Sequence, residues 1–447
     1  MGIEHNERPR IIATTDGEID DRCSMNRFLL YANEWEIEGL IYCSSRFHWN
    51  GYTWSGEEWI EDQIDLYADV YDSLSEHDPA YPHPEELRDA VYVGNISEAG
   101  EMTEETPGSE RIVDVLLDDA PGPVYLQAWG GTNTIARALK TIEERHPDRK
   151  DEVADKAVIY IILNQDRTLR EYIQPNWPEL EVINSFKQFR VFAYRWDTLI
   201  PDPAVRRYFE FDWMDENIVS GHGPLCSAYP TANLDDQYVS DLVADHVERH
   251  SANGECFISE GDTPSYLHQI RVGLGSLEDP SYGGWGGRFG KEPGSLNVWI
   301  GTEDDGDLYK PIWRWIPDMQ RDWAARADWC VKRYDEANHP PEVVVNGEEG
   351  LDSIRMAVEP GETVTVDASQ SSDPDGDNLG FYWWNYRDAE RFSGNPPAIT
   401  IERPHQARTA VKIPREHPRE YHLILEVTDD GDPQLTRYRR VILDSSK

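Results

Sequence analysis

The run Arg10-Ile-Ile-Ala-Thr-Thr-Asp16-Gly-Glu18-Ile-Asp20-Asp21 constrains the fold of this chain more than any other stretch. Ile11 to Thr15 is short and apolar, which predicts a buried strand. Four carboxylates follow within six residues. A helical pattern then starts at Asp20 or Asp21 and places Met25, Phe28, Leu29 and Ala32 on one face. The acids therefore stand where a strand turns into a helix, the edge at which open α/β sheets bind ligands. Carboxylates crowded at such an edge repel one another unless protons or a cation neutralise them. A helix cap needs one acid, not three. The excess predicts a hard divalent cation held by Asp16 and Asp21.

The same alternation continues. Glu36 to Cys43 reads as a second strand, with Ser44, Ser45 and Arg46 at the same edge and an aromatic loop over 46–54. Ser55-x-x-Glu58 reads as a capping box ahead of a helix carrying Ile60, Ile64, Tyr67, Tyr71 and Leu74. A short helix is expected up to Val93, and another over 109–119. Pro123 to Trp129 is a third strand, turned by Gly130-Gly131-Thr132 into a helix over 133–146. Ala157 to Leu163 is a fourth, ending in Asn164-Gln-Asp166. Apolar, β-branched strands alternating with helices imply a mostly parallel sheet covered on both faces. Right-handed crossovers put the strand-end loops on one edge.

Residues 176–234 are less regular. A helix over 236–250 and a short strand at Cys256–Ser259 lead to Glu260-Gly261-Asp262, which opens another helix. A glycine-rich loop holding Trp285 and Arg288 follows, then one long helix over 311–335 whose tryptophans fall at core spacing. Pro340-Pro341 marks a linker. Beyond it, runs such as Val364–Asp367, Phe381–Asn385 and His422–Val427 alternate with period two between turns, which predicts an all-β sandwich. The expected division is 8–337 for the α/β domain and 339–447 for the sandwich.

Charge narrows the partners. The 447 residues hold 85 acids against 42 bases, a net charge of −43, and only nine of the bases are Lys. Such a surface suits a high-salt cytoplasm, where ions screen the self-repulsion. It excludes nucleic acid, whose phosphates need basic patches. No apolar run is long enough to cross a membrane. The first ten residues hold no apolar signal region, so a cytoplasmic location is expected, with secretion as the alternative. The five cysteines include no C-x-x-C pair and read as buried free thiols. A homo-oligomer stays open.

Asp16-Gly-Glu-Ile-Asp20-Asp21 resembles the D-P-G-x-D-D signature of nucleoside hydrolases, and Trp129-Gly-Gly-Thr-Asn133-Thr-Ile-Ala resembles that family's second strand–turn–helix. Glu260-Gly-Asp262 lies where the family has its late metal-binding Asp. The stretch 260–267, the Trp-Gly-Gly-Arg loop 285–288 and a trailing sandwich resemble more narrowly the nucleoside-hydrolase-like proteins that carry a cellulose-binding label. The resemblance implies a metal, Ca²⁺ ahead of Mg²⁺, held by Asp16, Asp21, Asp262 and a backbone carbonyl at Leu163 or Asn164. An all-oxygen ligand set suits that ion. It implies further that Asp16 deprotonates a water and that Asp20 faces a pair of sugar hydroxyls.

The chain also departs from the nucleoside pattern. Gly17 replaces the proline, Ser45 and Arg46 stand where an Asn contacts ribose, and Gly261 replaces a His. No Glu-Phe-Asn stretch is present. A larger glycoside is therefore expected, reached along a cleft lined by Trp49, Trp129 and Trp285. Ser45, Arg46, Trp129, Asn133, Asn164, Asp166, His222, Trp285 and Arg288 are the expected substrate contacts, with His222 a candidate acid for the leaving group and His48 a weaker one. The rival expectations are a carbohydrate-binding protein with a degenerate site and a true nucleosidase. Asp373-Pro-Asp-Gly-Asp377 resembles the turn of PKD- and cadherin-like domains, which fixes a turn through Asx side chains and in some proteins binds Ca²⁺.

Overall fold

A computed structural model describes residues 8–54, 56–193, 195–230, 259–392 and 394–445. The expected helix 236–250, Cys256 with most of its short strand, and Ser55 of the capping box lie outside the described residues.

The N-terminal part is built on an eight-stranded sheet. Its strands are β1 (Arg10–Thr15), β2 (Glu36–Tyr42), β3 (Val91–Val93), β4 (Val124–Ala128), β5 (Ala157–Ile162), β6 (Glu181–Ser185), β7 (Phe289–Lys291) and β8 (Val298–Gly301). Their order is β3-β2-β1-β4-β5-β6-β8-β7, and all neighbours are parallel except β7 with β8. β1 is buried along its whole length, as its run of Ile and Thr requires. Helix α1 (Ile19–Leu30) and the helix Ile316–Trp329 pack on one face, with Phe28, Trp35, Trp129 and Trp323 in that core. The helices Pro107–Leu117 and Asn133–Arg145 cover the other, with Ile112, Leu116, Ile135 and Leu139 against Ile12 and Leu126.

Strand order reverses at β1, which has β2 on one side and β4 on the other. A crevice opens at such a switch point, outside the carboxyl ends of the strands. The loops after β1 and β4 flank it, and they carry the acids and Gly130-Gly131.

The structure departs from the sequence reading in several elements. The helix expected up to Val93 ends at Asp89, and Val91–Val93 joins the sheet as its edge strand. Three residues of period-two pattern are too few to stand out from a helix end. The single helix expected over 311–335 is two, Lys310–Trp313 and Ile316–Trp329, divided just before Pro317, which fits only a first turn. β6, β7 and β8 were hidden in the less regular stretch and the glycine-rich region.

The C-terminal part is an all-β unit. A short hairpin, β9 (Val344–Val345) and β10 (Glu348–Glu349), precedes two sheets. One has the order β11 (Ile354–Ala357), β17 (Thr436–Asp444), β16 (Glu420–Thr428), β13 (Gly380–Asn385). The other has β12 (Thr363–Asp367), β15 (Arg408–Lys412), β14 (Thr400–Ile401). Alternate residues Trp383, Leu423, Leu425, Val427 and Val366 fill the space between them.

The two parts share a packed seam. Trp315 meets Trp384, Tyr386 and Tyr438. Arg440 of β17 is fully buried and donates to the carbonyls of Leu274 (2.6 Å) and Tyr282 (2.8 Å). Arg437 pairs with Asp322 at 2.8 Å.

Candidate functional site

The end of β1 delivers Asp16, and the start of α1 delivers Asp20 and Asp21. From 240 residues further on, the strap Glu260-Gly261-Asp262 returns to the same place. One carboxylate oxygen each of Asp20, Asp21 and Asp262 lies within 4.8 Å of the others. None of the acids is used as a cap: neither α1 nor the helix Thr263–Leu267 has a side-chain cap bond.

All four aspartates are buried, at 1 to 8% exposure. Asp21 Oδ1 accepts from the Asp16 backbone N–H at 3.2 Å and from the Thr15 hydroxyl. Both oxygens of Asp16 and one of Asp262 have no hydrogen-bond partner among the described residues. Burial is the first cause that raises these carboxyls, and the neighbouring charges add to it. Asp16 is pushed up to about 6. Asp20, Asp21 and Asp262 are pushed well above the ordinary range: after burial, Glu18 and Asp21 raise Asp20, Asp16 raises Asp21, and Asp21 with Asp20 raises Asp262. Buried acids without donors are costly unless something positive answers them. The arrangement therefore fits a hard divalent cation bound by oxygen.

Small residues make the room. A Cβ on Gly130 would stand 2.9 Å from Asp16 Cβ and 3.0 Å from Cys43 Sγ. A Cβ on Gly261 would stand 2.3 Å from Asp20 Oδ2. Leu163, at the end of β5, holds a left-handed backbone with φ 58°. That conformation costs a leucine about 1–2 kcal/mol, and it falls where the family resemblance places a carbonyl ligand.

A buried polar frame fixes both halves of the site. Arg27 of α1 donates to Gln320 Oε1 at 2.7 Å and to the Met319 carbonyl at 2.9 Å, and it pairs with Glu260 at 3.3 Å. Glu260 also accepts from Tyr229 and Thr263, both at 2.9 Å. The helix that carries Asp20 and Asp21 is thus tied to the strap that carries Asp262.

The remaining expected residues divide. Ser45 is fully buried, and its hydroxyl accepts from the N–H of Phe47 (2.9 Å) and His48 (3.2 Å), so it shapes the loop above the acids. Arg46 is exposed and lies over the Phe47 ring at 4.6 Å. Asn133 is buried and donates to Ser44 Oγ and to the carbonyls of Asn95 and Glu101 at 2.8–3.0 Å, so it clamps three loops. Asp166 accepts from Thr168 and Thr132 through one oxygen, while the other is buried without a partner. Asn164 is exposed and accepts from Asn184 at 3.1 Å.

The tryptophan-lined cleft needs correcting. Trp129 is fully buried, donates to Ser265 Oγ at 2.8 Å and packs on Phe28, which leaves no ring face for a sugar. Trp285 is 1% exposed and belongs to the same core. Arg288 is buried and pairs with Asp304 at 2.6 Å, and Asp304 in turn accepts from Tyr386 of the sandwich at 2.7 Å. The glycine-rich loop is part of the seam between the two units. His222 pairs with Asp328 at 3.3 Å in a pocket whose lining holds none of the four site aspartates. Trp49 alone of the three tryptophans stays near the surface.

The sequence reading underweighted Glu18 and His48. His48 Nε2 lies 3.5 Å from Glu18 Oε2, and Nδ1 lies 2.6 Å from the Thr53 carbonyl. Burial alone would lower the His48 pKa, but Glu18 and Asp16 carry it up to about 10. No spacing rule joins residue 18 to residue 48; the signal was only that both lie at strand ends of adjacent parallel strands.

Residues 10–289 match the family described as cellulose-binding Sde182, nucleoside hydrolase-like domain. The chain belongs to that family. Residues 363–445 match the C-terminal domain of cellulose-binding protein Sde0182. A nucleoside hydrolase-related hypothetical protein from Saccharophagus degradans, described as associated with carbohydrate metabolism, is similar across 98% of this chain and 100% of its own, at 29% identity and TM-score 0.80. The effector protein XOO4466 aligns at 11% identity and TM-score 0.37, over 73% of this chain and 95% of its own. No curated protein matches the chain. The first match thus covers most of the parallel sheet that places the acids, and the second most of the sandwich behind it.

Proposed function

We propose that this protein hydrolyses a glycosidic bond of a carbohydrate, with a divalent cation, Ca²⁺ ahead of Mg²⁺, at the aspartate cluster. The observation that carries the reading is the convergence of Asp20, Asp21 and Asp262 at the switch point of the sheet, with Asp16 buried beside Asp21 and both of its oxygens without a partner among the described residues. Asp21, Asp262 and Asp16 would hold the ion, with the Leu163 or Asn164 carbonyl. When bound, the ion supplies positive charge that makes a neighbouring water more acidic.

Asp16 takes the proton of the attacking water. Its buried carboxyl, with no hydrogen-bond partner among the described residues, is free to take that proton. Asp20, 8% exposed and the least buried of the four, accepts from sugar hydroxyls and holds the ring for attack at the anomeric carbon. Its place in the trio within 4.8 Å means that it also helps to hold the charge of the ion. His48, held charged by Glu18 and Asp16, stands beside this group as a proton donor for the leaving oxygen.

The family description favours a second reading, a carbohydrate-binding protein whose acids are structural. A nucleosidase with remodelled ribose contacts is the third. A panel of glycosides, cello-oligosaccharides and nucleosides separates them. It is run with and without chelator, in molar salt because the acid excess calls for screening. Chelator-sensitive release of sugar supports the enzyme. Binding without turnover supports the second reading, and efficient hydrolysis of inosine or uridine supports the third.

A further inference from the structure

We propose that residues 46–54 form a stacking platform for a neutral β-linked glucan chain at the mouth of the acid pocket, with Phe47, Trp49 and Tyr52 supplying the ring faces. The proposal rests on the carbohydrate reading above and names the part of the site that grips the chain.

Phe47 is 39% exposed and Tyr52 53% exposed, among few large apolar side chains left in solvent. Trp49 stacks on Tyr52 with ring centroids 4.5 Å apart and planes 28° from parallel. Trp54 is partly buried at the foot of the loop, against the core. Residues 46–54 contain no aliphatic side chain at all, and their other side chains are Arg46, His48, Asn50 and Thr53. Ring faces with polar groups at their edges suit a sugar, which has flat C–H faces and a rim of hydroxyls.

The loop is braced before any ligand arrives. Trp49 and Tyr52 exchange backbone bonds of 3.1 and 2.8 Å across Asn50-Gly51, where Gly51 has φ 114°. Ser45 Oγ accepts two N–H groups at its root. The Thr53 hydroxyl donates to the Phe47 carbonyl. The Arg46 N–H donates to the Gln165 carbonyl and the Asn50 N–H to the Ile96 carbonyl, both at 2.8 Å, so two other strand-end segments hold the loop. A rigid platform loses little entropy on binding.

Position ties the platform to the chemistry. His48 lies between Phe47 and Trp49 in sequence, yet its ring points inward to Glu18 at 3.5 Å. A chain lying on the outer rings therefore runs past the acids. Charge favours a neutral occupant: a protein of net −43 offers an anionic chain little to pair with.

Isothermal titration with cellohexaose, together with pull-down on microcrystalline cellulose, tests the proposal on the full chain. The variants are Phe47→Ala/Tyr52→Ala and Trp49→Ala. Tyr382→Ala, an exposed tyrosine on the sandwich, is the control. The proposal expects the platform variants to lose at least about tenfold in affinity while the control keeps it, with the melting temperature unchanged in all. Wild-type binding that survives in the platform variants overturns the platform and leaves the catalytic reading intact. Loss of binding in those variants, with no turnover of any glycoside by the wild type, supports the platform and sinks the catalytic reading. No glucan binding by the wild type overturns the platform. So does concentration-dependent self-association abolished in Phe47→Ala/Tyr52→Ala, because a second copy is then the occupant.

Discussion

Gly261 and Asp20 exclude any side chain between them: a Cβ at position 261 would stand 2.3 Å from Asp20 Oδ2. The closeness explains why this chain carries glycine beside its late aspartate. Asp20 occupies the space that a larger neighbour would need. Gly261 has no left-handed backbone, so alanine is conformationally acceptable there and its effect is a collision alone. Gly261→Ala is expected to cost about 1–3 kcal/mol of local strain, and to weaken cation binding about tenfold, or 1.4 kcal/mol. Calcium titration of the variant checks this. An unchanged affinity means that Asp20 has no part in holding the ion.

Arg27 touches no substrate in this account, but it joins α1 to the strap. Removing it strands Glu260, buried at 0% exposure, without its cation. Breaking a buried pair in this way costs about 3–5 kcal/mol. Arg27→Met is expected to lower the unfolding free energy by that amount, read as a lower urea midpoint, and to weaken the ion site with it. Arg27→Met/Glu260→Gln is expected to recover part of the loss, because no unpaired charge remains. Urea titrations of the two variants decide it.

The junction of the two units predicts a pH dependence. His77 Nε2 donates to the Lys332 carbonyl at 2.8 Å, and Nδ1 accepts from His339 Nε2 at 2.9 Å. His339 then faces Asp375 of the sandwich at 3.1 Å. Burial lowers the His77 pKa below its ordinary value; the hydrogen bond to the Lys332 carbonyl opposes it, and the charge of His339 adds to the lowering. A lowered base binds fewer protons folded than unfolded. Its contribution to stability is therefore present above about 6.5, the unfolded value, and is lost as pH falls through it. His77→Gln is expected to flatten the loss of melting temperature as pH falls below about 6.5, relative to wild type. Parallel pH curves for the two proteins would remove His77 as the cause.

Much of this was legible in the sequence, and the reasons differ by element. β1 and the acids stood out because an apolar run stops abruptly at charge. The parallel sheet followed from β-branched strands alternating with helices, and the sandwich from period-two runs such as Phe381–Asn385. β3 and β6–β8 were not legible, since three to five residues carry too little periodicity. Asp262 was found by resemblance; its distance from Asp21 in sequence gives no local clue. Trp129 and Trp285 misled because a tryptophan beside glycines looks the same whether its ring faces a ligand or a core. Asp373 does fix its turn, accepting from the N–H of Asp375 (2.9 Å) and Asp377 (3.1 Å), as Asx chemistry predicts.

The central claim is that the buried aspartates hold one hard cation. Calorimetric titration of Ca²⁺ into chelator-stripped protein tests it most directly, in molar KCl at pH 7.5 and again at pH 5. The account predicts one equivalent bound by the wild type, lost in Asp21→Asn and Asp262→Asn. It also predicts weaker binding at the lower pH, where protons compete at Asp16, pushed up to about 6, and at Asp21 and Asp262, pushed well above the ordinary range. Affinity equal in the wild type and both variants, or no binding by folded wild type at pH 7.5, would contradict it.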